Sequence, residues 1–254
     1  MESKMFNLQG EIALVVGGAG GIGSACAIGL AQCGANIVIA DLDLEKADRV
    51  TSQIKQLDVD AMSIQVDIFN SQDIECMVGQ VIQKYGKIDI LLNNAATTVR
   101  KSLLDTSLEE WNRVVHTNLT SAFMLSKVIG REFIKNRKGK MIHMASTGGI
   151  RASANFSAYG ASKAGLIHLV KTLALEWAPY QINVNSIAPT ATETPFTADY
   201  YAENPDKKER AIQNHPYKRL GQPADYVGAA IFLASSASNF VNGEVIVVDS
   251  GKTV

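Results

Sequence analysis

The chain has almost no net charge. Its 24 Lys and Arg residues face 25 Asp and Glu residues, a formal balance of −1. No basic run or acidic tail breaks that balance, so no global field draws the protein to nucleic acid or to an anionic membrane. Cysteine is scarce. Cys26, Cys33 and Cys76 have no metal-ligand spacing, and an odd, sparse set fits a reducing compartment and not a disulfide framework. The histidines, His116, His143, His168 and His215, form no i, i+4 pair, so structural roles are expected and no metal site. No apolar run approaches the length of a membrane span. Met1 to Gly10 lacks an apolar signal core, and the expected location is the cytoplasm. Internal repeats, low-complexity tracts and linkers are absent, which leaves one domain over 1–254.

What remains is ordinary globular material: 254 residues, 46% hydrophobic and 19% charged, enough to build a sizeable core. Short β-branched runs alternate with longer helical patterns. Strands are expected at Ile12–Val16, Asn36–Ala40, Ala61–Gln65, Ile88–Leu92, Lys140–Met144, Ile182–Ile187 and Glu244–Val248. Helices are expected at Gly21–Cys33, Leu44–Leu57, Asp73–Tyr85, Leu108–Asn136, Ala158–Ala178 and Asp225–Ala234. Apolar runs without alternation indicate strands buried on both faces. Strand–helix alternation then implies right-handed crossovers, hence an α/β fold with one parallel sheet between two helical layers. The one long stretch without strand character is Thr190–Gln222. It carries Pro195, Pro205, Pro216 and a charged cluster at Asp206–Arg210, and reads as a mobile lid.

Two features point to a dinucleotide. The first strand runs into Gly17-Gly-Ala-Gly-Gly-Ile-Gly23, and a helix follows. In that context glycines allow a tight turn and let a pyrophosphate approach backbone N–H groups at the helix N-terminus. Asp41 closes the second strand at the separation expected of an acid that accepts hydrogen bonds from the adenosine ribose hydroxyls. A 2′-phosphate would meet that carboxylate with no basic partner, since Gly20 offers no side chain and Asp43 adds a second negative charge. NAD is therefore expected over NADP. Asp43, directly before Leu44 and Glu45, is the better helix cap.

A third feature points to proton transfer. Tyr159-Gly-Ala-Ser-Lys163 puts a phenol and an ammonium four residues apart on one helix face. A phenol is a poor acid or base at neutral pH, and nearby positive charge favours its ionised form. Taken together with Asn93-Asn-Ala-Ala96, Asn118, Ser146 and Pro189–Thr194, these segments are in the order and at the spacing of the short-chain dehydrogenase/reductase family, which the chain resembles from about Leu8 to Gly251.

The resemblance implies a single Rossmann-like domain with a doubly wound, seven-stranded parallel sheet and helices on both faces. It implies Tyr159 as general acid/base, Lys163 as the group that lowers its pKa and binds the nicotinamide ribose, and Ser146 as a hydrogen-bond donor to the substrate oxygen. Asn118 is implied to bend its helix and hold a proton-relaying water. Gly17, Gly20, Gly21, Ile22 and Gly23 are implied at the pyrophosphate, Asp67 and Ile68 at adenine, and Asn94 and Ala95 beside the adenosine ribose. Pro189, Thr192 and Thr194 are implied at the nicotinamide. The long helices of the family pair across subunits, so a homotetramer is expected.

The sequence departs from the family pattern at Val16 (usually Thr), Ala96 (usually Gly), Thr190 (usually Gly) and Ser250 (usually Gly). Thr190 bears most on substrate access. The run Arg219–Asp225 with Asn239–Gly243 resembles the gluconate and sugar-acid dehydrogenase branch. The reading is an NAD(H)-dependent oxidoreductase acting on a small secondary alcohol or ketone, a sugar acid, sugar or polyol. A 3-oxoacyl-carrier-protein reductase and a catalytically silent nucleotide sensor are the alternatives.

Overall fold

The computed structural model describes residues 4–254. Seven strands form one parallel sheet: β1 (Ile12–Val16), β2 (Asn36–Asp41), β3 (Ala61–Gln65), β4 (Ile90–Asn93), β5 (Gly139–Met144), β6 (Ile182–Pro189) and β7 (Val245–Val248). Their spatial order is β3-β2-β1-β4-β5-β6-β7. Strand β1 shows why the sheet is buried on both faces. Ala13 and Val15 enter one apolar cluster, and Ile12, Leu14 and Val16 enter the other, as the two-residue period of a strand requires.

The first cluster is closed by α1 (Gly21–Gln32), α2 (Leu44–Ile54) and α9 (Val227–Ala234). The second is closed by α3 (Ser71–Tyr85), α5 (Ser121–Asn136) and α6 (Ser157–Trp177). The doubly wound reading of the sequence holds. Chain order reverses at β1, whose neighbours β2 and β4 lead to opposite edges, and a crevice opens beyond their C-terminal ends.

Two sequence expectations change. The single helix expected over Leu108–Asn136 is three pieces: α4 (Leu108–Val115), a π turn at His116–Thr120, and α5. The interruption has a cause. Asn118 turns inward, donating to the Thr97 carbonyl and to Ser162 Oγ, both at 3.0 Å, and accepting from the Thr97 amide at 2.9 Å. The second change is in Thr190–Gln222, which holds two helices, α7 (Pro195–Glu203) and α8 (Pro205–Gln213). Pro195 and Pro205 occupy first helical positions, where the missing N–H costs nothing.

The departures from the family pattern also find places. Val16 is buried in the second cluster, with Ala95 packed on the same cluster. Ser250 adopts a left-handed backbone, φ 60°, a conformation that glycine reaches at less cost.

The glycine loop packs so closely on neighbouring backbone that side chains are excluded at two of its glycines. Gly17, at φ +69°, has no room for a side chain, because a Cβ there would lie 2.7 Å from the Ala95 nitrogen. A Cβ on Gly23 would lie 2.3 Å from the Gly17 carbonyl oxygen. Neither neighbour is a flexible side chain. We expect Gly23→Ala to lower the free energy of unfolding by about 1–3 kcal/mol, the usual result of overpacking a tight site. Urea denaturation measures it, and an unchanged midpoint would mean that the loop yields without strain.

Candidate active site

One cavity of about 870 Å³ runs across the C-terminal ends of the central strands. Every residue expected to contact cofactor or substrate lines it, except two. Gly23 sits behind the loop, packed on the Gly17 carbonyl. Asn118 is buried beneath the cavity floor, and both of its amide hydrogens are already engaged. Its side chain fixes the segment at Thr97, and its Oδ1, which accepts only the Thr97 amide, keeps a lone pair for a further donor.

At one end lie Asp41, Asp43 and Asp67. Asp41 is not wholly free: its carboxylate accepts from the Ala19 amide at 3.0 Å and from the Asp43 amide at 3.2 Å. Each oxygen keeps a lone pair for a further donor. Those bonds tie the glycine loop to the end of β2 and aim the carboxylate. Asp43 caps α2 as expected, accepting from the Lys46 amide at 3.0 Å, and it pairs with the Lys46 ammonium at 2.7 Å. Asp67 accepts from the Phe69 amide at 2.9 Å. Asn94 crosses the floor to donate to the Gly17 carbonyl at 3.0 Å.

At the other end stand Ser146, Tyr159 and Lys163. Ser146 follows β5, and its Oγ accepts from the Gly148 amide at 3.0 Å, which leaves the hydroxyl hydrogen available. Tyr159 and Lys163 lie one turn apart near the start of α6, the Lys163 ammonium 5.9 Å from the phenol ring centre. Lys163 is 1% exposed and donates to the Met144 carbonyl at 2.7 Å. Among the described residues it has no carboxylate partner. Burial therefore pushes its pKa down to about 7. Burial raises that of Tyr159, while the Ser146 hydroxyl and the Arg100 charge pull it back.

Sequence and structure relatives give the family. A family model described as enoyl-(acyl carrier protein) reductase matches residues 17–253. The chain is 35% identical over 251 residues to an NAD-dependent glycerol dehydrogenase of Listeria innocua, covering 99% of this chain and 97% of that one. It is 37% identical over 250 residues to a 2-dehydro-3-deoxy-D-gluconate 5-dehydrogenase of Pseudoalteromonas atlantica, with 98% of each covered. A solved structure of a putative NAD(P)-dependent gluconate 5-dehydrogenase from Beutenbergia cavernae, with bound NADP at low occupancy, superposes with a TM-score of 0.93 at 30% identity, covering 98% of this chain and 99% of that one. The chain belongs to the short-chain dehydrogenase/reductase family. It is an oxidoreductase that works on CH–OH groups with a nicotinamide cofactor.

This dehydrogenase/reductase has site residues that no motif announced. Arg100, in the loop after β4, places its guanidinium 3.9 Å from the Tyr200 ring centre, 4.7 Å from Phe156 and 6.0 Å from Tyr201. Rings and cation come from three separate stretches of chain, so no spacing could have joined them. His143, on β5, is fully buried and neutral, its pKa driven down to about 3 by burial and by the charge of Lys163. Ser126 Oγ donates to the Ala122 carbonyl, which makes it the acceptor from His143 Nε2. His143 Nδ1 then accepts from Asn93, whose own carbonyl holds the Ala95 amide. This file of bonds stiffens the Asn93–Ala96 turn.

The buried Lys163 has a measurable signature. Its folded pKa, about 7, lies below that of an unfolded lysine, about 10.4. Between those values the unfolded chain binds the extra proton, so the Lys163 contribution to stability rises with pH. We expect Lys163→Met to be more stable than the parent at pH 7, by on the order of a few kcal/mol. The difference should shrink as pH climbs toward 10. Thermal melts of both proteins from pH 6 to 10 would show it, and parallel curves would mean that the ammonium is not desolvated.

Proposed function

We propose that this enzyme moves hydride between NAD and a secondary hydroxyl of a sugar acid, with Tyr159 as acid/base. The observation that carries the substrate class is Arg100, a guanidinium at the catalytic end of the cavity with no carboxylate partner among the described residues. Three aromatic rings frame it. Such a fork is suited to a planar carboxylate. Lys207, Arg210 and Lys252 line the same end, whereas the lining carboxylates all lie at the other. The kinship with sugar-acid and polyol dehydrogenases points the same way. A 3-oxoacyl-carrier-protein reductase would be expected to use NADPH, which Asp41 and the side-chain-free Gly20 disfavour, and the intact Ser146, Tyr159 and Lys163 argue against a silent sensor.

The cavity suits a nicotinamide dinucleotide. Gly17 and Gly21 leave backbone exposed where a side chain would strike Ala95 or Thr194. Gly20, Gly21 and Ile22 present the N-terminus of α1 to the pyrophosphate. Asp41 would take the adenosine ribose, Asp67 and Ile68 the adenine, and Lys163 the nicotinamide ribose. Pro189, Thr192 and Thr194 would hold the carboxamide. When bound, the oxidised ring supplies the hydride acceptor. In alcohol oxidation the ionised Tyr159 takes the hydroxyl proton as hydride leaves the carbon. Ser146 donates to the substrate oxygen, using the hydrogen that its bond to Gly148 leaves free. The segment 190–222 acts as the substrate lid, with Phe196, Tyr200 and Tyr201 excluding water. Exposed Leu103, Leu104, Leu108 and Phe123, on and before α4 and α5, support a homotetramer built on those helices.

Three measurements test this reading. With saturating substrate, kcat/KM with NAD should exceed that with NADP at least about a hundredfold. Lost charge-assisted bonds to Asp41 are worth roughly 1.5–3 kcal/mol, and anion repulsion adds to that. Comparable values would overturn the role of Asp41. Tyr159→Phe should abolish turnover and leave NADH affinity nearly intact. Arg100→Met should raise KM for D-gluconate about tenfold to a hundredfold but leave KM for neutral D-glucitol within about threefold. Equal effects on both would remove the carboxylate from the proposal.

A further inference from the structure

Helix α8 supplies Lys207, Arg210 and Ala211 to the cavity wall, yet it contains no buried residue. An amphipathic helix is ordinarily held by an apolar face. Along this one only Lys208, Ala211 and Ile212 are half-buried, so its hold depends largely on its ends. On its length the Lys208–Glu193 ion pair, 2.8 Å, is largely exposed and worth little. Just past its C-terminus His215 is 1% exposed, and its two ring nitrogens are both bonded. Nδ1 lies 2.6 Å from the Ala211 carbonyl on α8, and Nε2 lies 2.7 Å from Thr190 Oγ1.

The direction of each bond follows. A carbonyl only accepts, so Nδ1 carries the ring proton. Burial keeps the ring neutral, so Nε2 is the acceptor and the Thr190 hydroxyl donates. Thr190 is itself fixed. Its carbonyl accepts from Thr192 Oγ1 at 2.8 Å, and that oxygen lies 2.5 Å from the Tyr226 hydroxyl. Gly221 adds backbone bonds to Ala191 and Glu193, both at 2.9 Å. The loop from Pro189 to Thr194, which lines the cavity at the nicotinamide end, is therefore tied to Gly221 and Tyr226. The Thr190 hydroxyl is the bond by which it holds α8 through His215. Thr190 stands where the family usually has glycine, which has no hydroxyl to give.

We propose that Thr190 and His215 are positioning residues that anchor α8 to the loop at 189–194, and that this anchor sets substrate affinity. Neither side chain takes part in hydride or proton transfer. The inference rests on the assignment of this cavity end to the substrate. With the anchor cut, α8 opens more often, and the cations it presents spend less time at the substrate. The cofactor pocket, held by Gly221, Thr192 and Tyr226, stays as it was.

Hydrogen exchange of backbone amides 205–215 in the ligand-free enzyme tests the anchor without any substrate. Thr190→Val removes the hydroxyl at nearly constant volume, Thr190→Gly removes it without adding bulk, and Thr190→Ser keeps it. Exchange over α8 should quicken about threefold to tenfold in the Val and Gly variants, the worth of one buried neutral hydrogen bond. The Ser variant should match the parent, and amides of α1 and α6 should not change. With D-gluconate, the Val and Gly variants should raise KM by the same factor while kcat stays within about twofold and NADH affinity is unchanged. Either variant alone suffices if the other does not fold. Unchanged exchange over α8, or a Ser variant as fast as the Val variant, would overturn the anchor. Quickened exchange with unaltered KM would overturn its role in affinity. Failure of the parent to use D-gluconate would count against the sugar-acid reading, while the exchange result would still decide the anchor.

Discussion

The catalytic end of this cavity gathers basic side chains, Lys163 fully buried among them, with no carboxylate partner for Lys163 or Arg100 among the described residues. Lys163 lies under the sheet ends, bonded to a carbonyl and not to an acid, and Arg100 stands among aromatic rings. The acids that line the cavity, Asp41, Asp43 and Asp67, are all at the opposite end. A desolvated cation with no counterion is costly, so the arrangement needs a fold that holds it in place. Here β5 delivers the Met144 carbonyl and Ser146, α6 delivers Tyr159 and Lys163 from one helix face, and the doubly wound sheet sets both at the crevice beside β1. The stored cost is recovered when an anion or a phenolate forms there. The proposed substrate class and the proposed proton transfer thus share one electrostatic cause.

The polarity also explains why the two ends of the cavity are built differently. The end proposed for adenosine is a matter of backbone: glycines pressed against Ala95 and the Gly17 carbonyl, and a carboxylate aimed by the amides of Ala19 and Asp43. Such a surface recognises a ligand common to many enzymes. The substrate end is a matter of side chains carried on α7, α8 and the loop after β4, elements that can vary without disturbing the sheet.

That division decides what was legible in the sequence. The sheet could be read because its strands are short β-branched runs buried on both faces, and the period of such runs is local information. Asp43 could be assigned as a cap from three adjacent residues. Tyr159 and Lys163 could be paired because a helix puts i and i+4 together. Elsewhere local information misled. Leu108–Asn136 has unbroken helical character, and only the distant Thr97 and Ser162 reveal why Asn118 interrupts it. Pro195 and Pro205 read as breakers until each is seen at the first position of a helix. Arg100 could not be found at all, and His215 was legible only as a residue with a structural role, since the rings around Arg100 and the Thr190 partner of His215 lie in other parts of the chain. Thr190 alone gave a signal, as a departure whose meaning required His215.

The most direct measurement is the pH dependence of kcat/KM for alcohol oxidation in the parent enzyme and in Arg100→Met. Oxidation needs the ionised phenol, so the rate should rise with pH through a single ionisation above neutrality. The positive charge of Arg100 favours that ionised form, so its removal should move the rising limb to higher pH. A limb at the same pH in both proteins, or a rate that does not change with pH, would contradict the electrostatic origin of proton transfer at Tyr159.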